Sequence, residues 1–473
     1  MPIIASLGAL SYQKFQLSDF DYWIVTTDSD KLFSDIEFDD EDAFYIVGNQ
    51  SQLTAGNTFF NVSKFKQFDS VPYLLSTSNY RITSATSSEP RPVLNCIGRS
   101  IKFNPNTDIL SVLTSTRIGY PFTFPNPYRT VPFSFQIKKD LTRQATTGRV
   151  DFGEDPLVND LIFDNFTEDT SDTHYFYIGH GGTPDASIVV RKENFNSQGG
   201  APPGTTITTD EEIAARRIEG SRPAGSIYDI ALNSSGDPIT IGNTSNNVYV
   251  IKFDQTPTTV GSIRLLNLLW GNVLSFTSQL ISRGLILDNP VSGLNNIYGV
   301  LYSPTETSSY VIKYEDNGTS SSLAWQRKIE GVNLFSITVD DVGNFYIVGN
   351  KNNDLFLAKY NTNGILQWQN ILSGINFTPT KITIKDDLYI LGNISSNGFV
   401  LKLPEDGSIP GNGNYNISST TVTYQSGSQS EVAGALTNNT FSPDLIGQPT
   451  RTTASRVNEI FATTLETNIN SLN

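Results

Sequence analysis

Apolar and polar residues alternate along much of this chain in short runs, and turn residues close each run. The clearest stretch is residues 335–372, FSITVDDVGNFYIVGNKNNDLFLAKYNTNGILQWQNIL. Alternating runs at 335–339, 345–348, 354–360 and 365–372 are separated by Asp341-Val342-Gly343-Asn344, Gly349-Asn350 and Asn363-Gly364. Period-two runs joined by Asn, Asp and Gly turns are consecutive antiparallel strands. Four strands in about 40 residues is the size of one β-propeller blade.

The rest of the chain reads as imperfect copies of this unit. Phe44-Tyr45-Ile46-Val47-Gly48-Asn49 nearly duplicates Phe345-Tyr346-Ile347-Val348-Gly349-Asn350. Related runs place blade 1 near 35–75, a degenerate blade 2 near 95–145, blade 3 near 158–195 and blade 4 near 225–272. Blade 5 falls near 278–330, blade 6 is the reference stretch, and blade 7 falls near 375–404. A tryptophan recurs on the fourth run as Trp270, Trp325 and Trp368, and Trp23 stands in a similar run before the first blade. The pattern predicts that Trp23 lies on a strand completing the last blade and closing the ring. A basic residue recurs on the third run as Lys64, Lys138, Arg191, Lys252, Lys313, Lys359 and Lys402. The simplest expectation is a packed stem with its charge at the rim.

The expected architecture is all-β: a seven-bladed propeller of four-stranded antiparallel blades over 35–404. An N-terminal segment, 1–34, carries the ring-closing strand. Loop insertions are expected at 68–95, 116–132 and 193–224. Inside the last, Thr209-Asp210-Glu211-Glu212 reads as a capping box opening a short helix over 213–218. A C-terminal arm, 405–473, is expected to be irregular, with one strand at 420–424 and a short amphipathic helix over 455–472. Val457, Ile460, Phe461, Leu465 and Ile469 would share its apolar side.

The net charge of −15 argues against nucleic acid, whose phosphates need clustered Lys and Arg. The single cysteine, Cys96, precludes an intramolecular disulfide. The first fifteen residues, MPIIASLGALSYQKF, make a poor signal peptide, and no apolar run is long enough for a membrane span. These features point to synthesis in the cytoplasm and to no membrane partner.

The pattern V-D-x-x-G-N-x-Y-[IV]-x-G, followed by [FY]-[VL]-x-K-[YF]-[ND]-x-x-G-x-L-x-W-Q, resembles the bacterial and phage β-propeller repeat abbreviated SBBP. Residues 335–372 match it closely, and 225–255, 375–404 and 35–66 match in part. The resemblance implies a seven-bladed propeller and no single activity. An Asn-rich chain with one Cys, two His and one Met also resembles the propeller-bearing structural proteins of marine cyanophages.

Candidate chemistry is sparse. His174 and His180, with Asp172 and Asp185, could in principle hold a metal, but a polar strand end and a Gly-Gly turn explain them more simply. The acidic run from Asp28 to Asp42 and the Asp340-Asp341 turn invite a calcium reading, yet the ligand order of an EF-hand is absent and turn geometry accounts for them. Cys96 reads as a buried thiol. The sequence therefore supports no catalytic residue, metal site or cofactor. It favours a non-enzymatic virion protein of a bacteriophage, associated with tail, neck or capsid and assembled in the host cytoplasm. Its partners would be other virion proteins and further copies of itself. The apolar side of the terminal helix and Arg216 and Arg217 are the expected contact residues. The alternative is an adhesin for host surface glycans, with Tyr120, Phe122, Phe124 and Tyr128 as the stacking aromatics.

Overall fold

The computed structural model describes residues 4–7, 10–13, 23–27, 31–51, 58–68, 71–80, 84–85, 93–119, 128–145, 162–169, 174–181, 186–193, 213–219, 226–244, 246–260, 263–288, 295–408, 413–417, 420–427, 431–433, 437–440, 444–446, 458–459 and 464–466. Every regular element among them is a β-strand. The strands form a seven-bladed propeller. In blade 6, Asn333–Val339, Phe345–Lys351, Asp354–Tyr360 and Leu366–Ser373 pair antiparallel in order. The same four-strand order recurs from blade 1, which starts at Lys31–Phe38, to blade 5, which ends at Ser321–Glu330. The first strands of successive blades lie side by side around the centre, and that of blade 7, Phe377–Lys385, lies against Lys31–Phe38 of blade 1.

Both ends of the chain are built into this ring. Blade 7 takes its fourth strand from the N-terminus: Trp23–Thr27 pairs with Asn397–Leu403, Trp23 opposite Lys402. The hairpin Ile4–Leu7 and Leu10–Gln13 then extends that blade outward. In its described residues the C-terminal arm is built of short strands rather than irregular. It runs backward around the circumference and adds a strand to the outer edge of one blade after another. Thr420–Ser426 pairs with blade 6, Glu431–Ala433 with blade 5, Thr437–Thr440 with blade 4 and Asp444–Ile446 with blade 3. Thr464–Glu466 then pairs with Val71–Tyr80 of blade 1. An outer strand with unpaired N–H and C=O groups is a template for other chains, and each added strand covers part of one.

Three expectations change. The insert at 193–224 holds a strand, Ile213–Glu219, where a helix was expected. It is paired with Ala186–Glu193 on one side and Asp444–Ile446 on the other, and those ladders override the local capping signal. The stretches at 68–95 and 116–132 are not simply loops: Val71–Tyr80 is the fourth strand of blade 1, and Ile109–Gly119 and Tyr128–Lys138 reach into the second stretch. The terminal amphipathic helix is absent from the described residues, where Asn458–Glu459 and Thr464–Glu466 are strands. Leu465 sits opposite Ser78 in a ladder, while Val457, Ile460, Phe461 and Ile469 lie outside the described residues.

The core lies between blades. One cluster joins Tyr346, Val348 and Leu357 of blade 6 to Ile382, Leu388 and Leu401 of blade 7. Another joins Trp23, Tyr389 and Val400 of blade 7 to Phe33, Phe44 and Phe65 of blade 1. Cys96 is fully buried in the cluster between blades 1 and 2, as expected.

Candidate functional site

The recurring residues of the repeat are spent on joining blades. In every blade the pairing of the first and second strands skips a residue of the first: Ser34, Arg99 (with Leu94 as well in blade 2), Asp164, Tyr228, Arg283, Phe335 and Thr380. These are β-bulges, which bend a strand and re-aim its side chains. The second-strand glycine permits the close approach beside the bulge. A Cβ on Gly48, Gly349 or Gly392 would lie 2.3–2.5 Å from a carbonyl oxygen of its own first strand. The asparagine that follows clamps the next blade. Asn49 Oδ1 accepts from Gly98 N at 2.7 Å, Asn243 Oδ1 from Ser282 N at 3.2 Å, and Asn393 Oδ1 from Phe33 N at 3.0 Å. The Gly-Asn pair therefore lies inside a strand rather than in a turn. The turn of blade 6 falls instead at Asn352-Asn353, both with positive φ.

The third-strand lysines of blades 4 to 7 do not carry their charge to solvent, whereas Lys138 of blade 2 is exposed, as expected. Lys252, Lys313 and Lys402 are buried. Each is directly opposite the fourth-strand tryptophan, and each reaches a residue of the following blade. Lys252 Nζ donates to Asp316 at 2.9 Å, Lys313 Nζ to the Thr362 carbonyl at 3.2 Å, and Lys402 Nζ to Gln67 at 3.2 Å. Lys359 likewise donates to Glu405 at 2.8 Å. A buried ammonium must be paired, and each acceptor stands three positions after the equivalent lysine of its own blade. The tryptophans complete the joint: Trp23 stacks on Phe44 of blade 1 and Trp325 on Phe345 of blade 6.

At the centre, the bulge residues Ser34, Arg99, Arg283, Phe335 and Thr380 of five blades come together around one cavity. It measures about 120 Å³ and is lined by Asp35, Arg99, Asp229, Arg283, Ser336 and Lys381, among others. Asp35 Oδ2 accepts from Ser100 Oγ at 2.6 Å and Ile101 N at 3.1 Å, and Lys381 Nζ lies 3.7 Å from its Oδ1. Burial opposes its ionisation, but Lys381, Lys102 and the bonds from Ser100 and Ile101 outweigh that and hold its pKa below the usual value. Asp229 Oδ2 makes the equivalent bridge from blade 4 to Leu285 N of blade 5 at 2.8 Å. One step deeper, burial raises the Glu37 carboxyl although Lys102 lies 3.4 Å away. The central cavity thus has a mixed-charge lining whose carboxylates are engaged in holding blades together.

The proposed contact residues fall elsewhere. Arg216 and Arg217 are adjacent on the fourth strand of blade 3, opposite Val189 and Ile188. Tyr128 starts a strand opposite Gly119, whereas Tyr120, Phe122 and Phe124 lie outside the described residues. His174 and His180 stand six positions apart on one strand, about 20 Å at strand rise, too far for one metal ion. Asp172 and Asp185 lie outside the described residues. Among the described residues no group of three or more His, Cys, Asp or Glu could hold a metal. Asp340 is a turn residue, its Oδ1 accepting from Val342 N and Asn344 N. In the acidic run, Asp39 caps its own turn through Glu41 N and Ala43 N. The clamp role of Gly-Asn and the spacing from one lysine to the next blade's acceptor were missed in the sequence, although the repetition of both was visible there.

No known family's sequence profile matches the chain, and no curated protein matches it. Similar solved structures are β-propeller proteins. Apo prolyl oligopeptidase B from Galerina marginata is 9% identical with a TM-score of 0.43, covering 84% of this chain and 52% of that one. Sqt1 from Chaetomium thermophilum is 8% identical with a TM-score of 0.41, covering 80% and 97%. YCF48 bound to D1 peptide is 9% identical with a TM-score of 0.41, covering 82% and 98%. The chain spans about half the length of the prolyl oligopeptidase structures it matches. Among the described residues, no helix is long and apolar enough to cross a membrane.

Proposed function

We propose that this chain is a non-enzymatic virion structural protein of a bacteriophage, a tail-, neck- or capsid-associated component that uses its propeller as a protein-interaction platform. The observation that carries the reading is where the repeated polar residues go. The Asn clamps, the lysines of blades 4 to 7 and the bridging aspartates are engaged between blades. The chain builds a stiff ring and binds both its ends into it. A rigid body with variable turns on two faces suits docking. The SBBP-like repeat of residues 335–372 and the Asn-rich composition support a phage setting. Its partners would be other virion proteins and copies of itself, in particles assembled in the host cytoplasm. Mass spectrometry of purified phage particles from the source tests this. Peptides of this chain in fixed ratio to the major capsid protein are expected; their absence from intact particles overturns the reading.

A further inference from the structure

The seam where blade 7 meets blade 1 differs from its neighbour between blades 6 and 7. In blade 6 the first hairpin has five residues, 340–344, between the paired Val339 and Phe345. The Tyr346 hydroxyl there is shared between Asp340 of that turn and Glu405 of blade 7, both of which accept from it. In blade 7 only three residues, 385–387, lie between the paired Ile384 and Leu388. The acceptor from the following blade is the neutral Gln67. Beside this shorter turn lies a cavity of about 250 Å³ with Phe38, Phe44 and Tyr389 among its lining residues. That is below the roughly 300–1,000 Å³ of drug-sized pockets and suits a single long side chain.

Its lining favours a cation. Lys385 is tied to Asp42 at 3.0 Å and to the Asp39 carbonyl at 2.9 Å. Lys402 is tied to Asp387 at 2.8 Å. Both ammoniums are therefore matched, while Asp386 adds a third carboxylate on an exposed turn. The aromatic walls already take two of the chain's own cations, Lys385 Nζ 5.4 Å from the Phe38 ring centre and Lys402 Nζ 5.9 Å from that of Tyr389. Asp40 and Glu41, more than half exposed, share a single cation, Lys139, and so leave a net negative charge beyond the mouth.

We propose that this seam pocket docks an arginine side chain of a partner protein's extended segment, its guanidinium against the aromatic walls and paired with Asp386 and Asp42. Arginine fits better than lysine because its planar fork both stacks and pairs. The proposal rests on the platform reading and assigns it a face and a partner chemistry. The test is fluorescence polarisation of a labelled hexa-arginine peptide against the full chain at about 50 mM salt, with hexa-glutamate as control. Saturable one-to-one binding is expected. Asp42→Asn with Asp386→Asn should weaken it by about fivefold. Replacing residues 385–387 by the five-residue turn of 340–344 should weaken it similarly, although that graft adds one negative charge. Equal binding by the graft, with an unchanged melting temperature, would show attraction to the acidic face alone and overturn the pocket. So would an unaffected asparagine double variant, whose two sites are on the surface, or no saturable binding to the wild type. Incorporation into particles without peptide binding would remove this inference and leave the platform standing.

Discussion

The inner and outer edges of the ring are held by different means. Inside, blades are joined by recurring devices: a bulge in every repeat and, in several, a glycine beside it, an asparagine reaching the next first strand, and a lysine reaching the end of the next third strand or the turn after it. Outside, blades 6, 5, 4, 3 and 1 are linked by one continuous tail whose short strands share no such devices. The inner joints bury their polar groups, where a lost partner is expensive. The outer ladders are short edge pairings, where water can replace a partner. The two edges should therefore contribute very unequally to stability.

The largest loss is expected where the inner system closes on itself. Trp23 is 1% exposed, stacked on Phe44 and edge-on to Tyr389. Trp23→Ala leaves a cavity at the seam that joins the two ends of the ring, and should cost about 3–5 kcal/mol in denaturant unfolding. A loss below about 1 kcal/mol would mean that closure depends on the other ladders of blade 7 and not on this packing.

Asp35→Ala comes next, at about 3 kcal/mol, because it strands Ile101 N of blade 2 and takes the partner from the Lys381 ammonium of blade 7. The pH dependence has a definite sign. The folded pKa of Asp35 lies below its unfolded value of about 3.9, so its contribution is present above that value and lost as pH falls through the folded pKa. The gap between wild type and Asp35→Ala should be full at pH 7 and shrink below about pH 4. Unfolding curves over that range check it. A gap constant with pH would mean that Asp35 acts by packing, not charge.

The same division explains what the sequence made legible. Alternation and Asn-Gly turns placed the strands of blades 4 to 7, and the recurring tryptophan placed Trp23 opposite the third strand of blade 7. Gly-Asn was visible but misread, because a glycine that permits close approach and a glycine that permits a turn look alike in one dimension. The lysines of blades 4 to 7 were misread for a related reason: a long stem can lead to water or to the next blade, and only the fold places Asp316 or Glu405 at its end. The tail was the least legible. Pairs such as Glu431 with Ile329 or Asp444 with Glu219 are made by backbone groups, which any sequence carries. The strand at 213–219 failed similarly, its partners lying more than 20 residues before and more than 200 residues after it.

The smallest effect on stability is expected from the tail. Ending the chain at Gly427 removes the strands added to blades 5, 4, 3 and 1, which make runs of three or four residue pairs each. Ordering so long a segment costs backbone entropy that offsets most of what those ladders contribute, so the unfolding midpoint should move by less than about 1 kcal/mol. Solution behaviour should change more. Four outer strands would then present bare N–H and C=O groups, and light scattering should show association that rises with concentration. A truncated chain that stays monodisperse would mean the blade edges protect themselves by twist or charge. One that loses more stability than Asp35→Ala would reverse the comparison and make the tail the ring's main fastening. In that case the inner devices set which blades pair, and the strap decides whether the ring stays shut.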